Sequence, residues 1–221
     1  MLVGAVQLLV RRKLDWCDGT RVARLLKAAK VKVSSACVEN IDWRAGCGLD
    51  RHLITALAGG DWIHHARNLL ITGATGCGKT WLGCALAQQA ARLGLSMLYA
   101  QATPLLQELQ LAHGDGSFSR RLAQKARLAV LVRDNLAIAP IAAQQRQGLL
   151  DLPDLPDLHD NRMGSRSTLI TSQLPSSACH QWPNQWLNEP TIADAVMNGL
   201  LYGPHTLALK GDSLRRPKAQ V

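Results

Sequence analysis

Two features that define other protein classes are missing from this 221-residue sequence: a long apolar run and a paired-cysteine motif. The opening MLVGAVQLLV is ten residues long, which is too short to span a bilayer. With no basic residue ahead of it and no small-residue cleavage site behind it, it is also a poor signal peptide. None of the six cysteines forms a CxxC pair, which disfavours a zinc site. We expect a cytoplasmic protein with reduced thiols and no membrane partner.

Positive charge is concentrated at the two ends of the chain. Residues 1–32 carry eight Lys and Arg residues against two Asp, and residues 210–221 carry four against one. The stretch between them contains thirteen residues of each sign. A neutral body with basic ends favours a polyanionic partner, and double-stranded DNA is the main candidate. The alternative explanation is that the charge serves solubility alone.

An amphipathic helix is predicted over residues 18–32. Apolar residues recur at i, i+3, i+4 and i+7 from Val22 and form one stripe. A neighbouring face carries basic residues spaced three apart, namely Arg21, Arg24, Lys27 and Lys30. Such a face can follow a phosphate backbone, so we predict that it binds DNA, with an ordinary solvated face as the alternative. A second helix is predicted to end at Gly59 and Gly60.

Beyond residue 67 the pattern changes to strands that alternate with helices. The short apolar runs NLLITG, LSMLYA, LAVLV and STLITS are typical of strands buried on both faces. Helical patterns follow the first two runs, beginning at Lys79 and Thr103. This alternation predicts an α/β fold with a parallel sheet flanked by helices. We therefore predict a basic helical N-terminal segment, residues 1–66, followed by an α/β domain, residues 67–221.

A phosphate-binding loop is predicted between the first strand and its helix. The sequence GATGCGKT fits the pattern G-x-x-x-x-G-K-[ST] in the required strand–loop–helix context. Its glycines let consecutive backbone N–H groups point at phosphate oxygens. Lys79 adds positive charge at the β- and γ-phosphates, and Thr80 offers its hydroxyl to Mg²⁺. We predict that ATP contacts the whole loop: Gly73, Ala74, Thr75, Gly76, Cys77, Gly78, Lys79 and Thr80.

Asp134 and Asn135 follow the predicted strand LAVLV. A P-loop NTPase needs an acid at the end of a neighbouring strand to hold Mg²⁺ through water, and Asp134 fills that role. The next residue usually polarises the attacking water. Asn135 can orient a water but cannot accept its proton. Arg133 would be a buried guanidinium in need of a partner, for which Asp134 is one candidate.

Five stretches of the chain carry a resemblance more specific than a phosphate loop. They are NLLITGATGCGKTWLGCALAQQA, LLQELQLAHGDGSFSRRLAQKARL, STLITSQLP, EPTIADAV and LALKGDSLRR. These stretches resemble the IstB-like ATP-binding proteins, the transposition helpers of insertion sequences, which are similar to the helicase loader DnaC and its AAA+ relatives. The resemblance runs from about Thr20 to Arg216 and includes the family's N-terminal DNA-binding helical segment. It implies a chain that starts later than a full-length member.

The resemblance implies an AAA+ P-loop core that binds ATP and Mg²⁺ and assembles into an oligomer on DNA. It also implies that the protein hands target DNA to a cognate transposase. Ser172 and Gln173 match the position that senses the γ-phosphate, and Arg215 matches a basic residue near the C-terminus. With Asp134 and Asn135, Gln173 and Arg215 complete the implied catalytic set.

Three departures from the family pattern predict impaired hydrolysis. Asn135 stands where the family has a second acid. The triplet Asn198-Gly199-Leu200 stands where the family has Asp-Arg-Leu, so the arginine that would reach a neighbouring subunit's ATP is absent. Losing such an arginine costs roughly 10³-fold or more in phosphoryl transfer. The tandem PDLPDL is an excess within a helix of the family, and its two prolines cannot lie inside one regular helix.

The sequence therefore predicts an ATP-binding transposition helper with weak or absent hydrolysis. A DnaC-like helicase loader is the alternative within the same class. A non-functional remnant that binds DNA without ATP control is a second alternative. A P-loop small-molecule kinase is a third, and it would require substrate-binding arginines in a lid and no basic tails.

Overall fold

The computed structural model describes residues 18–43, 48–136, 162, 164–173, 204–210 and 213–214. The α-helices within these ranges are α1 (18–29), α2 (Arg51–Gly59), α3 (Asp61–His64), α4 (Lys79–Arg92), α5 (Ala102–Gly114) and α6 (Phe118–Ala126), and Val38–Asn40 forms a short 3₁₀ helix. The strands are β1 (Leu69–Gly73), β2 (Met97–Gln101), β3 (Val130–Leu136), β4 (Ser167–Ser172) and β5 (His205–Leu209). None of the described helices is long and apolar enough to cross a bilayer.

The five strands form one parallel sheet in the order β2-β3-β4-β1-β5. The chain moves from β1 to the far edge strand β2 through α4, and then steps back to β3 through α5 and α6. Because crossovers between parallel strands are right-handed, opposite directions of travel place α4 and the α5–α6 pair on opposite faces. The predicted α/β fold with a flanked parallel sheet is confirmed.

All four predicted strands are present, together with the helices predicted at Lys79 and Thr103. The structure adds α6 and β5, which the apolar pattern did not single out. β5 is an edge strand whose residues alternate between exposed and buried, so it lacks the continuous apolar run of a central strand. α6 has a polar sequence, FSRRLAQKA, and buries Phe118 and Leu122. The sequence signal for this helix is the spacing of apolar residues on one face, since its overall composition is polar.

The first helix ends earlier than its sequence pattern predicts. Helical structure stops at residue 29, and Lys30 has a φ of 51°, in the left-handed region. Beyond this turn, Val31 and Val33 pack against the core cluster. The prediction of a helix to residue 32 is therefore wrong by one turn, because tertiary packing of the valines overrides the helical pattern.

The core lies between the sheet and α4, and the N-terminal residues belong to it. Ala29, Ile41, Ile54 and Trp62 pack in the same buried cluster as the apolar side of α4. Gln88 on α4 donates to the backbone of this segment, at Val33 O and Ser34 O (3.1 and 3.0 Å). The division into an N-terminal segment, residues 1–66, and an α/β domain, residues 67–221, stays a prediction.

Small residues let α4 lie close to the sheet. Gly83 is buried against β4, where an added Cβ would lie 3.4 Å from Leu169 Cδ2 and from Thr171 Cγ2. Further along the helix the buried positions are mainly alanine and cysteine. A helix packed this closely holds its first turn at a fixed distance from the carboxyl ends of β3 and β4.

A buried arginine joins the amino ends of β3 and β4 to α6. Arg162 is 2 % exposed, and its guanidinium donates to the backbone carbonyls of Lys125 and Leu128 at 2.9 Å each. Its other terminal nitrogen donates to Ser167 O. Burial, followed by the charges of nearby arginines, lowers its pKa to about 10, so it remains a cation at neutral pH. Arg162 therefore supplies charged donors to carbonyls at the end of α6 and the start of β4.

We expect Arg162→Ala to lower the free energy of unfolding by roughly 3 kcal/mol or more, because the carbonyls of α6 and β4 lose a buried charged donor. Urea unfolding followed by circular dichroism measures this change. The matched control is Arg166→Ala, which removes an exposed arginine a few residues away and should change stability by about 0.5 kcal/mol or less. Equal stability of the two variants would show that the Arg162 contacts contribute little.

Candidate functional site

The candidate site lies at the edge of the sheet where the strands end. β1 ends at Gly73, and the chain then turns through residues 74–78 into α4. β1 lies beside β4, and β4 lies beside β3, so the carboxyl ends of all three strands meet at this loop. Such a crevice beyond the carboxyl ends of parallel strands is the usual ligand site of open α/β sheets.

Glycine is required at two positions of the loop, because a side chain at each would collide with a different neighbouring residue. Gly73 has a φ of 149°, and an added Cβ would lie 2.6 Å from Leu209 O on β5. Gly76 has a φ of 88°, and an added Cβ would collide with Ser213 Oγ. The loop is thus enclosed by β5 and by the segment that follows it. The backbone of Leu214 also donates to Gly76 O at 3.0 Å.

The first turn of α4 faces this loop with its backbone donors. Its N-cap is Gly78, with no capping side chain among the described residues and no acid in the first turn. Lys79 is 6 % exposed, and its Nζ donates to Gly73 O and Ala74 O at 2.7 Å each. An uncapped helix N-terminus with an ammonium inside the loop concentrates positive potential where phosphate groups would bind.

The carboxylate of Asp134 is fully buried and accepts hydrogen bonds from three hydroxyls. Thr80 Oγ1, in the first turn of α4, lies 2.9 Å from Oδ1 and 3.1 Å from Oδ2. Tyr99 on β2 donates to Oδ2 at 2.6 Å, and Thr171 on β4 donates to Oδ1 at 2.5 Å. Burial, together with this hydrogen bond, raises the pKa of Tyr99, so its hydroxyl stays a donor at neutral pH.

Asp134 and Asn135 lie within β3, which continues to Leu136. The prediction that they follow the strand is therefore wrong. An irregularity between Arg133 and Leu136 shifts the pairing with β4, and Asn135 adopts a φ of 60° at this bulge. Its backbone N–H donates to Thr171 Oγ1 at 3.0 Å. Asn and Asp tolerate the left-handed conformation better than other residues with side chains, so this backbone restricts the residue types that fit here.

Arg133 is 2 % exposed, and burial lowers its pKa to about 10. It precedes Asp134 in the strand, and successive strand residues point to opposite faces. The described partners of Asp134 are all hydroxyls, from Thr80, Tyr99 and Thr171. The structure therefore does not support Arg133 as the partner of Asp134.

The remaining predicted site residues lie around this centre or outside the described residues. Ser172 is buried and pairs with Thr72 of β1, and the exposed Gln173 follows directly at the end of β4. Gln173 is thus at the crevice. Arg215, Gly199 and the PDLPDL tandem lie outside the described residues. The described Leu214, which precedes Arg215, contacts the phosphate loop through its backbone.

The predicted DNA-binding residues are all exposed. Arg21, Arg24 and Lys27 lie on α1, and Lys30 lies in the turn that ends it. Arg21 also has a structural contact, because its Nη2 donates to Gly94 O at 3.0 Å. Within the described part of the chain, no polar contact fastens Arg24 or Lys27. Whether this face binds DNA stays a prediction.

The residues present fit ATP and Mg²⁺. The loop conformation requires glycine and exposes backbone donors, Lys79 supplies positive charge, and the Thr80 hydroxyl lies against a buried carboxylate. Hydroxyl and carboxylate oxygens are the ligands that Mg²⁺ prefers. The sequence pattern missed Tyr99 and Thr171, because their roles depend on which strands pair with β3. The one available signal was their position near the ends of predicted strands.

Comparisons with known proteins match this chain to a described family. A family model described as IstB-like ATP binding protein matches residues 2–220. A protein of insertion sequence IS1162 from Pseudomonas fluorescens, named as ATP-binding, is 47% identical over 194 residues, covering 83% of this chain and 81% of its own. An insertion-sequence ATP-binding protein from Sinorhizobium fredii is 39% identical over 209 residues, covering 95% of this chain and 81% of its own.

Solved structures share the fold at lower identity. The structure of DnaI has a TM-score of 0.61 and 18% identity, and the match covers 87% of this chain and 93% of that chain. The DnaC helicase loader has a TM-score of 0.59 and 18% identity, covering 79% of this chain and 97% of that chain. These similarities show the fold alone, which is the AAA+ type of P-loop domain predicted from the sequence.

We expect Lys79→Ala to abolish detectable ATP affinity, because it removes the side-chain charge buried inside the phosphate loop. Fluorescence anisotropy of a labelled ATP analogue measures this binding. Arg127→Ala is the control, since it removes an exposed positive charge near the amino end of β3, away from the phosphate loop, and should not change binding. Equal affinity of Lys79→Ala and the parent protein would exclude this loop as the ATP site.

Proposed function

Because the chain belongs to the IstB-like ATP-binding protein family, we propose that it is the ATP-binding helper of an insertion sequence. In this role it binds double-stranded DNA, assembles into an oligomer and regulates a cognate transposase in the cytoplasm. Its relatives named as insertion-sequence ATP-binding proteins support the setting. The observation that carries the proposal is the contact between Thr80 and Asp134, because it joins a phosphate loop to a buried acid.

Mg²⁺ would be held by Thr80 and Asp134 and would neutralise phosphate charge. Lys79 and the backbone donors of the loop would bind the phosphate oxygens. Gln173 follows β4 at the crevice and would sense the terminal phosphate. Asn135 would orient a water without taking its proton, since an amide is not a base. These roles support nucleotide binding that depends on Mg²⁺, with inefficient hydrolysis of the bound nucleotide.

DNA binding is assigned to the exposed basic residues of α1 and the turn after it. Their charges are spaced along one side of a helix that packs through Leu25 and Leu26 on the core cluster. Basic side chains on a helix that is packed against the core can neutralise several phosphates of one DNA strand. The same chain would then hold DNA on α1 and nucleotide at the start of α4, with both elements packed in one core.

We expect Arg24→Ala with Lys27→Ala to weaken DNA binding and to flatten its log–log salt dependence by about 0.9 for each lost phosphate contact. These two residues are chosen because Arg21 and Lys30 also have structural roles in the α1 region. Filter retention of a labelled duplex at several salt concentrations measures the slope.

The matched control is Arg120→Ala with Arg127→Ala, which removes two exposed arginines in the α6 region on the opposite face of the sheet. The control slope should equal that of the parent. An unchanged slope in the α1 variant would mean that this face is merely solvated. Retention that is indifferent to ATP in the parent would favour a remnant without nucleotide control.

We expect the parent to release phosphate slowly, and Asn135→Asp with Gly199→Arg to raise turnover well beyond either single change. The two positions act on one transition state, so their effects are non-additive. Aspartate also tolerates the left-handed backbone at residue 135. The measurement is steady-state phosphate release with DNA present, for the parent, both single variants and the double variant. Rapid turnover by the parent would contradict impaired hydrolysis.

A further inference from the structure

The acid of the candidate metal site has more hydrogen-bond donors than its proposed role uses. Asp134 accepts from Thr80, Tyr99 and Thr171, and its carboxylate is 0% exposed. Thr80 is the metal-binding hydroxyl of the proposed function. The other two hydroxyls have no role in the phosphate-loop pattern. They come from β2 and β4, the two strands that pair with β3 on either side.

The two extra donors act on different oxygens of the carboxylate. Tyr99 donates to Oδ2 at 2.6 Å, and Thr171 donates to Oδ1 at 2.5 Å. A carboxylate held at both oxygens from opposite sides cannot rotate about its Cβ–Cγ bond without breaking one of these bonds. Both donor side chains are buried and belong to strands that pair with β3, so close packing fixes their positions.

We propose that Tyr99 and Thr171 are positioning residues, which hold the Asp134 carboxylate in the orientation that Mg²⁺ requires. This inference rests on the proposed function, in which Asp134 and Thr80 hold the metal. Thr80 bonds to both oxygens of Asp134 and belongs to α4, so it is the partner that a metal ion would share. The hydroxyls of β2 and β4 keep the carboxylate in place when that contact changes.

The physical reason is the cost of orienting a metal ligand. Partners that hydrogen-bond to a metal ligand fix its geometry, and removing one typically lowers metal affinity by about 10- to 100-fold. Tyr99 reaches Asp134 from a residue that pairs with Val132, two positions earlier on β3. Its long side chain is what makes this diagonal contact possible, because a shorter hydroxyl side chain at residue 99 would fall short of the carboxylate.

The test uses Tyr99→Phe and Thr171→Val, each of which deletes one hydroxyl and nearly conserves volume. Binding of a fluorescent ATP analogue is titrated with Mg²⁺, and the same analogue is titrated in EDTA. We expect the Mg²⁺ concentration for half-maximal enhancement of binding to rise about tenfold in each variant. Affinity in EDTA should equal that of the parent, because neither hydroxyl contacts the phosphate loop.

The control is Thr168→Val, which deletes a buried hydroxyl at the other end of β4, where Thr168 Oγ1 accepts from Arg162 at 3.4 Å. This variant tests whether loss of any buried hydroxyl in the sheet shifts the Mg²⁺ response, and we expect no shift. A purely structural role for Tyr99 and Thr171 would lower the stability of Tyr99→Phe and Thr171→Val and leave their Mg²⁺ midpoints unchanged.

The outcomes distinguish failure of the positioning role from failure of the metal site. A parental Mg²⁺ midpoint in folded Tyr99→Phe or Thr171→Val overturns the positioning role while leaving the metal site intact. A parent that binds the analogue without any response to Mg²⁺ overturns the metal site itself, and the positioning role with it. If one variant does not fold, the other carries the same test, since each hydroxyl holds one oxygen of Asp134.

Discussion

The contact between Thr80 and Asp134 is the interaction on which the rest of the site depends, because it fixes the first turn of α4 against β3. Several features serve this contact. Gly83 lets the helix lie close to β4, and the sharp turn at Gly73 brings the chain back over the strand ends. The N-terminal residues pack on the outer side of α4 and keep it pressed on the sheet. The packing that stabilises the fold therefore also sets the geometry of the site.

Charge is distributed so that the cations remain available to phosphate groups. Asp134 is bound by hydroxyls, while Lys79 lies on loop carbonyls 2.7 Å away. Arg133 is directed to the other face of the strand. A buried carboxylate paired with an arginine would have to break a charge-assisted bond before it could take part in metal binding. Hydroxyl partners avoid that cost, because no buried cation loses its carboxylate partner when a metal ion binds Asp134.

Local patterns in the sequence predicted the strands, α4 and the phosphate loop, because these depend on short apolar runs and on glycine spacing. Residues brought together by strand order were out of reach. Tyr99 and Thr171 lie far apart in sequence and meet at Asp134 because β2 and β4 flank β3. The extension of β3 to Leu136 was missed because the apolar run ends at Val132 and the next three residues are polar. Lys30 ends α1 for reasons of packing that its helical pattern does not contain.

We propose that Thr80 and Asp134 make nucleotide binding dependent on a divalent metal ion. Electron paramagnetic resonance of Mn²⁺ tests this claim, since free and bound ions give different signals. In the presence of ATP the parent should bind Mn²⁺, and Asp134→Asn should weaken that binding by about tenfold or more. Equal Mn²⁺ binding by the parent and Asp134→Asn, with ATP bound to both, would contradict the claim.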